Sequence, residues 1–292
     1  MADLSEFTLY YDGGVAAQGR MDLYDASESY HGFARVIAIL GHYYGTGKII
    51  SQAPYAEVEL FLLPATTGSF KQTVLAGTVG AIVAAPFVSF VDHTVKSWLP
   101  STDSDTIKIV ELLKEQNNLL RHQMGLPDKI TPTEKEAQKA VEQHIKQRQE
   151  EIDVLRSITS SSFRKVFRPV GRSVDVVGIL AGKSEEPVGV VDEYALRLLE
   201  SDKTDSTETG VTGIVNSFSR SSKTGIAFSN ELRRGFRFEY VGASELRRRD
   251  IFSWSQYTGN EIRMVGYFVR FFDGTIKKFN VLSAEKIEDE RE

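Results

Sequence analysis

Two stretches near the C-terminus interleave aromatic rings with guanidinium groups: Phe236-Arg237-Phe238-Glu239-Tyr240 and Arg270-Phe271-Phe272. Rings that stack on bases, beside cations that track phosphates, are what a surface for single-stranded nucleic acid needs. Arg220, Lys223, Arg233, Arg234, Arg247, Arg248 and Lys277 extend the candidate anion-binding set. From Gly210 to Ala284 the chain carries 12 Lys/Arg against 6 Asp/Glu, a net of +6; the whole chain nets −5, so the remainder holds −11. That asymmetry implies an anionic partner for the C-terminal part. Alternation limits the reading. In a strand Phe236 and Phe238 share one face and Arg237 takes the other, so some of these rings must form a core. "LRRRD" (246–250) is either a solvated helix face or part of the basic patch.

Other chemistries find less support. "GHYYGTGKII" (41–50) has five residues between Gly41 and Gly47, and Ile49 after Lys48. A phosphate loop needs four, then Ser or Thr, and it precedes a helix rather than following one. A glycine helix stop explains the pattern. His31, His42, His93, His122 and His144 show no metal-ligand spacing, and there is no Gly-x-Ser-x-Gly elbow. The absence of cysteine excludes disulfides, thiolate catalysis and iron–sulfur clusters. Asp12, Asp22, Asp25 and Glu28 cluster near one turn and could hold a cation, but capping and turn formation account for them. The sequence thus implies no catalytic residue, metal or cofactor.

Val74 to Val91 is a run of eighteen residues without a charge. As a helix it would measure about 27 Å, just short of a ~30 Å hydrocarbon core. Ala76, Gly80 and Ala84 form one line of small residues and Gly77, Ala81 and Ala85 the next, spacing that lets helices approach closely. Trp98 could mark a membrane interface. Pro86 and the modest content of large apolar residues oppose constitutive insertion. The expectation is one apolar helix, either buried or self-associating within protein or meeting lipid conditionally.

Stepping outward along the chain, strands are expected at 6–11, 19–23, 56–64 and 68–74, and a helix from Ala26 to Tyr44 ending at Gly45. Asp25 or Ser27 could cap that helix. After the apolar run come two long helices, Asp105 to Met124 and Thr131 to Arg156, joined as a hairpin. In the first, Asn117 stands where an apolar residue is expected and could fix register. "VDVVGIL" and "EPVGVV" read as short strands and "DEYALRLLES" as a helix. "SDKTDSTETG" (201–210) reads as a linker. Five alternating strands follow, with a short helix, "ASELRRRD", between the third and fourth.

This defines an α+β chain: an antiparallel-sheet domain (1–72), an apolar helical segment (73–100), a helical hairpin with short strands (101–200), the linker, and a five-stranded barrel (211–292). Strand count and spacing over Gly210 to Ile287 resemble an OB-like or cold-shock-like small barrel. "YYDGG", "MDLYDASES" and the Gly/Ala-rich run resemble an uncharacterised bacterial family. The N-terminus shows no basic stretch leading an apolar one, so no signal peptide is expected, and a cytoplasmic protein with conditional inner-membrane association fits. The leading function is a non-enzymatic homo-oligomer with a lipid-meeting helix and a sensing or docking barrel, in the manner of a bacterial defence effector. The alternative is a soluble protein that binds single-stranded nucleic acid or another anion through the barrel.

Overall fold

A computed structural model describes residues 4–53, 56, 58–63, 70–78, 84–100, 132–182, 187–243 and 250–287. The chain divides into two compact units. One comprises Met1–Arg148 with Thr159–Glu200, the other Gln149–Ile158 with Ser201–Glu292.

The first, the sheet unit, is built on a five-stranded sheet of β1 (Ser5–Asp12), β2 (Val58–Leu62), β3 (Phe70–Thr78), β4 (Val176–Ala181) and β5 (Gly189–Val191), in the order β2-β3-β1-β4-β5. All neighbours are antiparallel. Phe7 of β1 lies opposite Val74 and Ala181, and Leu9 opposite Gln72 and Ile179, so one face carries the apolar row. Helices α1 (Leu23–Thr46) and α2 (Ala84–Trp98) seal that face: Phe7 meets Phe33 of α1 and Phe87 of α2 edge-to-face, at 6.4 and 5.7 Å between centroids.

Helix α1 begins earlier than expected because Asp22 is its cap, accepting the Asp25 N–H at 3.0 Å; it ends at Gly47, whose φ of 69° suits glycine. The strand expected at 19–23 is absent: Ala16–Gln18 form a 3-10 turn and Gly19 is left-handed.

The apolar run is not one helix. Val74–Thr78 belong to β3, residues 79–83 lie outside the described residues, and α2 starts at Ala84. A short apolar run cannot be assigned to helix or strand by periodicity. Here β1 and β2 flank Val74 and Ala76 and supply ladder partners from both sides. Pro86 sits in the first turn of α2, where its missing N–H costs little. The expected helix from Thr131 to Arg156 is two helices, α3 (Pro132–Gln147) and α4 (Gln149–Val166), broken at Arg148 with φ −118° and ψ 32°. The expected helix from 105 to 124, with Asn117, lies outside the described residues. Helix α5 (Glu193–Glu200) follows β5.

The second unit is a closed five-stranded barrel. Strands β7 (Thr209–Ser219), β8 (Thr224–Ser229), β9 (Arg234–Tyr240), β11 (Ile276–Lys286) and β10 (Ile262–Arg270) pair in that order, and β10 closes onto β7. Only the β9–β11 pair is parallel. Irregularities after Val215, Val265 and Val269 bend the strands, as closure of a small barrel requires. Phe236, Phe238, Met264, Phe279 and Val281 fill the interior. Helix α6 (Ile251–Thr258), capped by Asp250, adds Phe252 against Phe238 at 5.1 Å. It starts where the expected "ASELRRRD" helix was to end, and residues 244–249 lie outside the described residues. A side chain at Gly225 would collide with the Ser217 backbone and the Phe238 ring, so that crossing requires glycine. The expected linker is partly structured: Lys203–Thr204 form β6, which pairs with Val269 and Arg270 of β10.

Candidate anion-binding face and a second cleft

The alternation that builds the barrel puts Phe236 and Phe238 inside and Arg237 outside, as their spacing implies. The outer surface of β8 and β9 is then Ile226 beside Arg237 and Phe228 beside Gly235. That face is not bare. Gln149–Ile158, the first half of α4, belongs to the same compact unit and packs onto it. Arg234 Nη2 meets Asp153 Oδ2 at 3.0 Å, and Arg237 Nη1 donates to the Ser157 carbonyl at 3.1 Å. Val154 lies over Gly235, and Ser157 Oγ donates to the Lys277 carbonyl. Arg156 donates to Asp273 Oδ2 at 2.7 Å and to Thr275 Oγ1 at 3.1 Å, and its guanidinium lies 4.2 Å from the centroid of Phe271.

The other candidate cations are largely answered as well. Arg270 makes a two-pronged contact with Asp205, at 3.0 Å from Nε and from Nη2. Lys277 pairs with Asp202, and Arg220 Nε lies 3.6 Å from Asp250 Oδ2. Arg247 and Arg248 lie outside the described residues. Lys223 and Arg233 stay exposed at the ends of the β7–β8 and β8–β9 turns, with φ of 55° and 51°. Asp202 and Asp205 come from the stretch read as a linker, and Asp153 from a helix more than fifty residues upstream of the barrel strands. The +6 balance was thus a property of where counting began. Residues 149–158, 201–209 and 285–292 carry −2, −2 and −3, so the whole unit nets −1.

The small-residue candidates are dispersed. Ala76 and Gly77 are in β3, Gly80 and Ala81 lie outside the described residues, and Ala84 and Ala85 open α2. They cannot form two helical lines. Trp98 is 2% exposed and packs edge-to-face on Phe163 at 5.6 Å. Phe87, Phe90, Val91 and Val95 are equally buried. No helix among the described residues is long and apolar enough to cross a membrane.

The acids that suggested a cation site have other roles. Asp22 caps α1, Asp25 accepts from Arg168 Nε at 3.1 Å and Ser173 Oγ at 3.0 Å, and Glu28 pairs with Lys165 at 2.7 Å. Among the described residues no group of three or more His, Asp or Glu is placed to hold a metal ion.

A cleft of about 570 Å³ went unread in the sequence. It lies in the sheet unit between α1 and β2, lined by His31, Ala34, Arg35, Ala38, Gln52, Ala53, Val58 and Leu60. At Gly41 the helix is so close to Val58 that a Cβ would stand 2.9 Å from its Cγ2; toward the N-terminus the small Ala38 and Ala34 leave a gap. The signal was present in α1. Beside the Phe33–Val36–Ile37–Leu40 stripe, α1 places the short side chains of Ala34 and Ala38, which cannot fill the space toward β2.

The protein is therefore an α+β sheet unit joined to a small closed barrel. The chain belongs to the family described as a domain of unknown function, DUF7946, matched over residues 7–195. The match ends short of the barrel strands, which begin at β7. No curated protein matches the chain.

Proposed function

We propose that this protein is a non-enzymatic, self-associating interaction protein whose OB-like barrel is a docking module for a helical protein segment. The strand order β7-β8-β9-β11-β10, with its one parallel pair and a helix between the third and fourth barrel strands, supports the OB-like assignment. The observation that carries the docking role is the helix segment seated on the β8–β9 face, whose Asp153 and Ser157 engage Arg234 and Arg237. Self-association draws support from β2, an outer strand of the sheet on which Phe61 and Leu62 are 48% and 58% exposed. Exposed apolar strands of that kind pair with other chains. A bacterial defence effector is a setting that such a modular plan would suit.

The second reading, single-stranded nucleic acid on the barrel, is favoured by Lys223 and Arg233, two exposed cations in turn positions that glycine would fill more cheaply. One titration separates the two. The full chain, titrated with a single-stranded oligonucleotide from low to moderate salt, should show at most weak association. Tight binding that falls steeply with salt would establish the second reading instead. Sedimentation at micromolar concentration should show oligomers, and a strict monomer would remove the self-association half.

A further inference from the structure

The cleft between α1 and β2 plays no part in that function, and its chemistry is specific. We propose that it binds a small amphipathic carboxylate, the anionic head on Arg35 and the apolar body along Ala34, Ala38, Val58 and Leu60. Its volume of about 570 Å³ is within the range typical of small-molecule sites, roughly 300–1,000 Å³.

Arg35 is held but not neutralised. Nη1 donates to Ser162 Oγ at 2.9 Å and Nη2 to the Ser51 carbonyl at 2.7 Å. Both acceptors are uncharged. A guanidinium has five N–H donors in a rigid fork, so these two bonds fix its plane and leave donors for a ligand. Among the described residues no carboxylate pairs with Arg35 and none lines the cleft. Glu28, two turns earlier on α1, is occupied by Lys165. A half-buried cation whose described neighbours are all uncharged attracts an anion strongly, and a carboxylate matches the fork in two prongs. The walls set the rest of the ligand. Ala34, Ala38, Ala53, Val58 and Leu60 offer no polar side-chain atom, so a bare inorganic anion would leave them wet. A neutral hydrocarbon would leave Arg35 unanswered. Gln52 and His31 add polar groups at the lining.

The test uses the full chain and three probes: octanoate, octan-1-ol and inorganic phosphate, each titrated by calorimetry. Octanoate should bind, and the other two at least about tenfold more weakly, since each satisfies only half of the site. Arg35→Gln should lose about tenfold of the octanoate affinity while its circular dichroism stays native, and Arg35→Lys should recover part of it. Ala34→Leu, which narrows the half-buried wall without touching Arg35, should weaken octanoate too. The proposal is overturned if octanoate binds no better than octan-1-ol or phosphate, or if folded Arg35→Gln binds it as the wild type does. Should Arg35→Gln not fold, undiminished binding by Ala34→Leu overturns it.

Discussion

Arg234 in the barrel and Arg35 in the sheet unit are both half-buried guanidiniums, and they meet different fates. Arg234 faces the Asp153 carboxylate at 3.0 Å; Arg35 faces a serine hydroxyl and a backbone carbonyl. The difference runs through the two units. The barrel, which looked like the basic partner-seeking part, answers Arg156, Arg234, Arg270, Lys277 and Lys278 with acids of its own unit. The sheet unit, which nets −4, keeps a cation in a cleft with no carboxylate paired to it among the described residues. Net charge along a stretch does not give the potential over a surface. The positions to which counter-charges fold back decide it.

The largest effect that bears on this comparison is at Phe90. It is fully buried against Tyr43 and Tyr44, so Phe90→Asp should cost about 4 kcal/mol or more and unfold the sheet unit. The chain has two tryptophans, Trp98 in the sheet unit and Trp254 in the barrel, so fluorescence of single-tryptophan variants reports each unit separately. Trp98 should become solvent-exposed. A variant that keeps Trp98 buried and loses only liposome association would support the lipid-facing reading of α2.

Asp153→Ala comes next. Loss of one partner from a buried ion pair costs roughly 3–5 kcal/mol. These side chains are 19% and 13% exposed, so about 2 kcal/mol is expected, read by urea denaturation with Trp254. The double variant Asp153→Ala/Arg234→Ala should regain part of it. Arg35→Gln should cost less, about 1 kcal/mol, because no charge is orphaned. Equal costs at the two arginines would break the comparison.

The units should also fail at opposite ends of the pH scale. Burial pushes the Tyr30 phenol up to about 12; burial, with the charge of Asp12 and a hydrogen bond to it, does the same for Tyr10. Both are raised in the folded state, so their contribution is intact below about pH 10, the unfolded value, and is lost as pH climbs toward 12. In the barrel, burial raises Asp273, but hydrogen bonds from Arg156 and Thr275 outweigh it and bring the carboxyl below its ordinary value. That contribution is intact above about pH 4 and lost as pH falls through the lower folded value. Glu28, held down by Lys165 at the surface, gives the sheet unit a weaker acid response. Alkali should therefore expose Trp98 before it perturbs Trp254, and acid should act in the reverse order.

The smallest effect is a gain. Lys223 and Arg233 hold left-handed backbone that costs a non-glycine residue free energy. Lys223→Gly should stabilise the barrel by up to about 1 kcal/mol, seen as a higher melting temperature. A loss would mean that the lysine side chain makes a contact its exposure conceals.

How much was legible in the chain varies by element. Strands β1, β4, β5 and the five barrel strands follow from alternation and turn residues. So does the inward direction of Phe236 and Phe238, because a two-residue period depends on neighbours alone. The ends of α1 were misread by a few residues, since Asp22, Asp25 and Ser27 are all acceptable caps and packing chose the first. Helix α6 begins after its cap Asp250 and carries Phe252 into the barrel interior, while most of the expected "ASELRRRD" helix lies outside the described residues.

By itself the sequence determined the class: an α+β chain without thiol chemistry, ending in a small barrel whose aromatic rings point inward. These depend on composition and on local periods. Tertiary structure alone decided that Val74–Thr78 form a strand, because β1 and β2 supply partners distant in the chain. It alone decided which cations are neutralised, because Asp153, Asp202 and Asp205 reach them only through folding. The Arg35 cleft belongs to the same category. A gap between a helix and a strand is defined by what fails to touch, and no window of sequence records that.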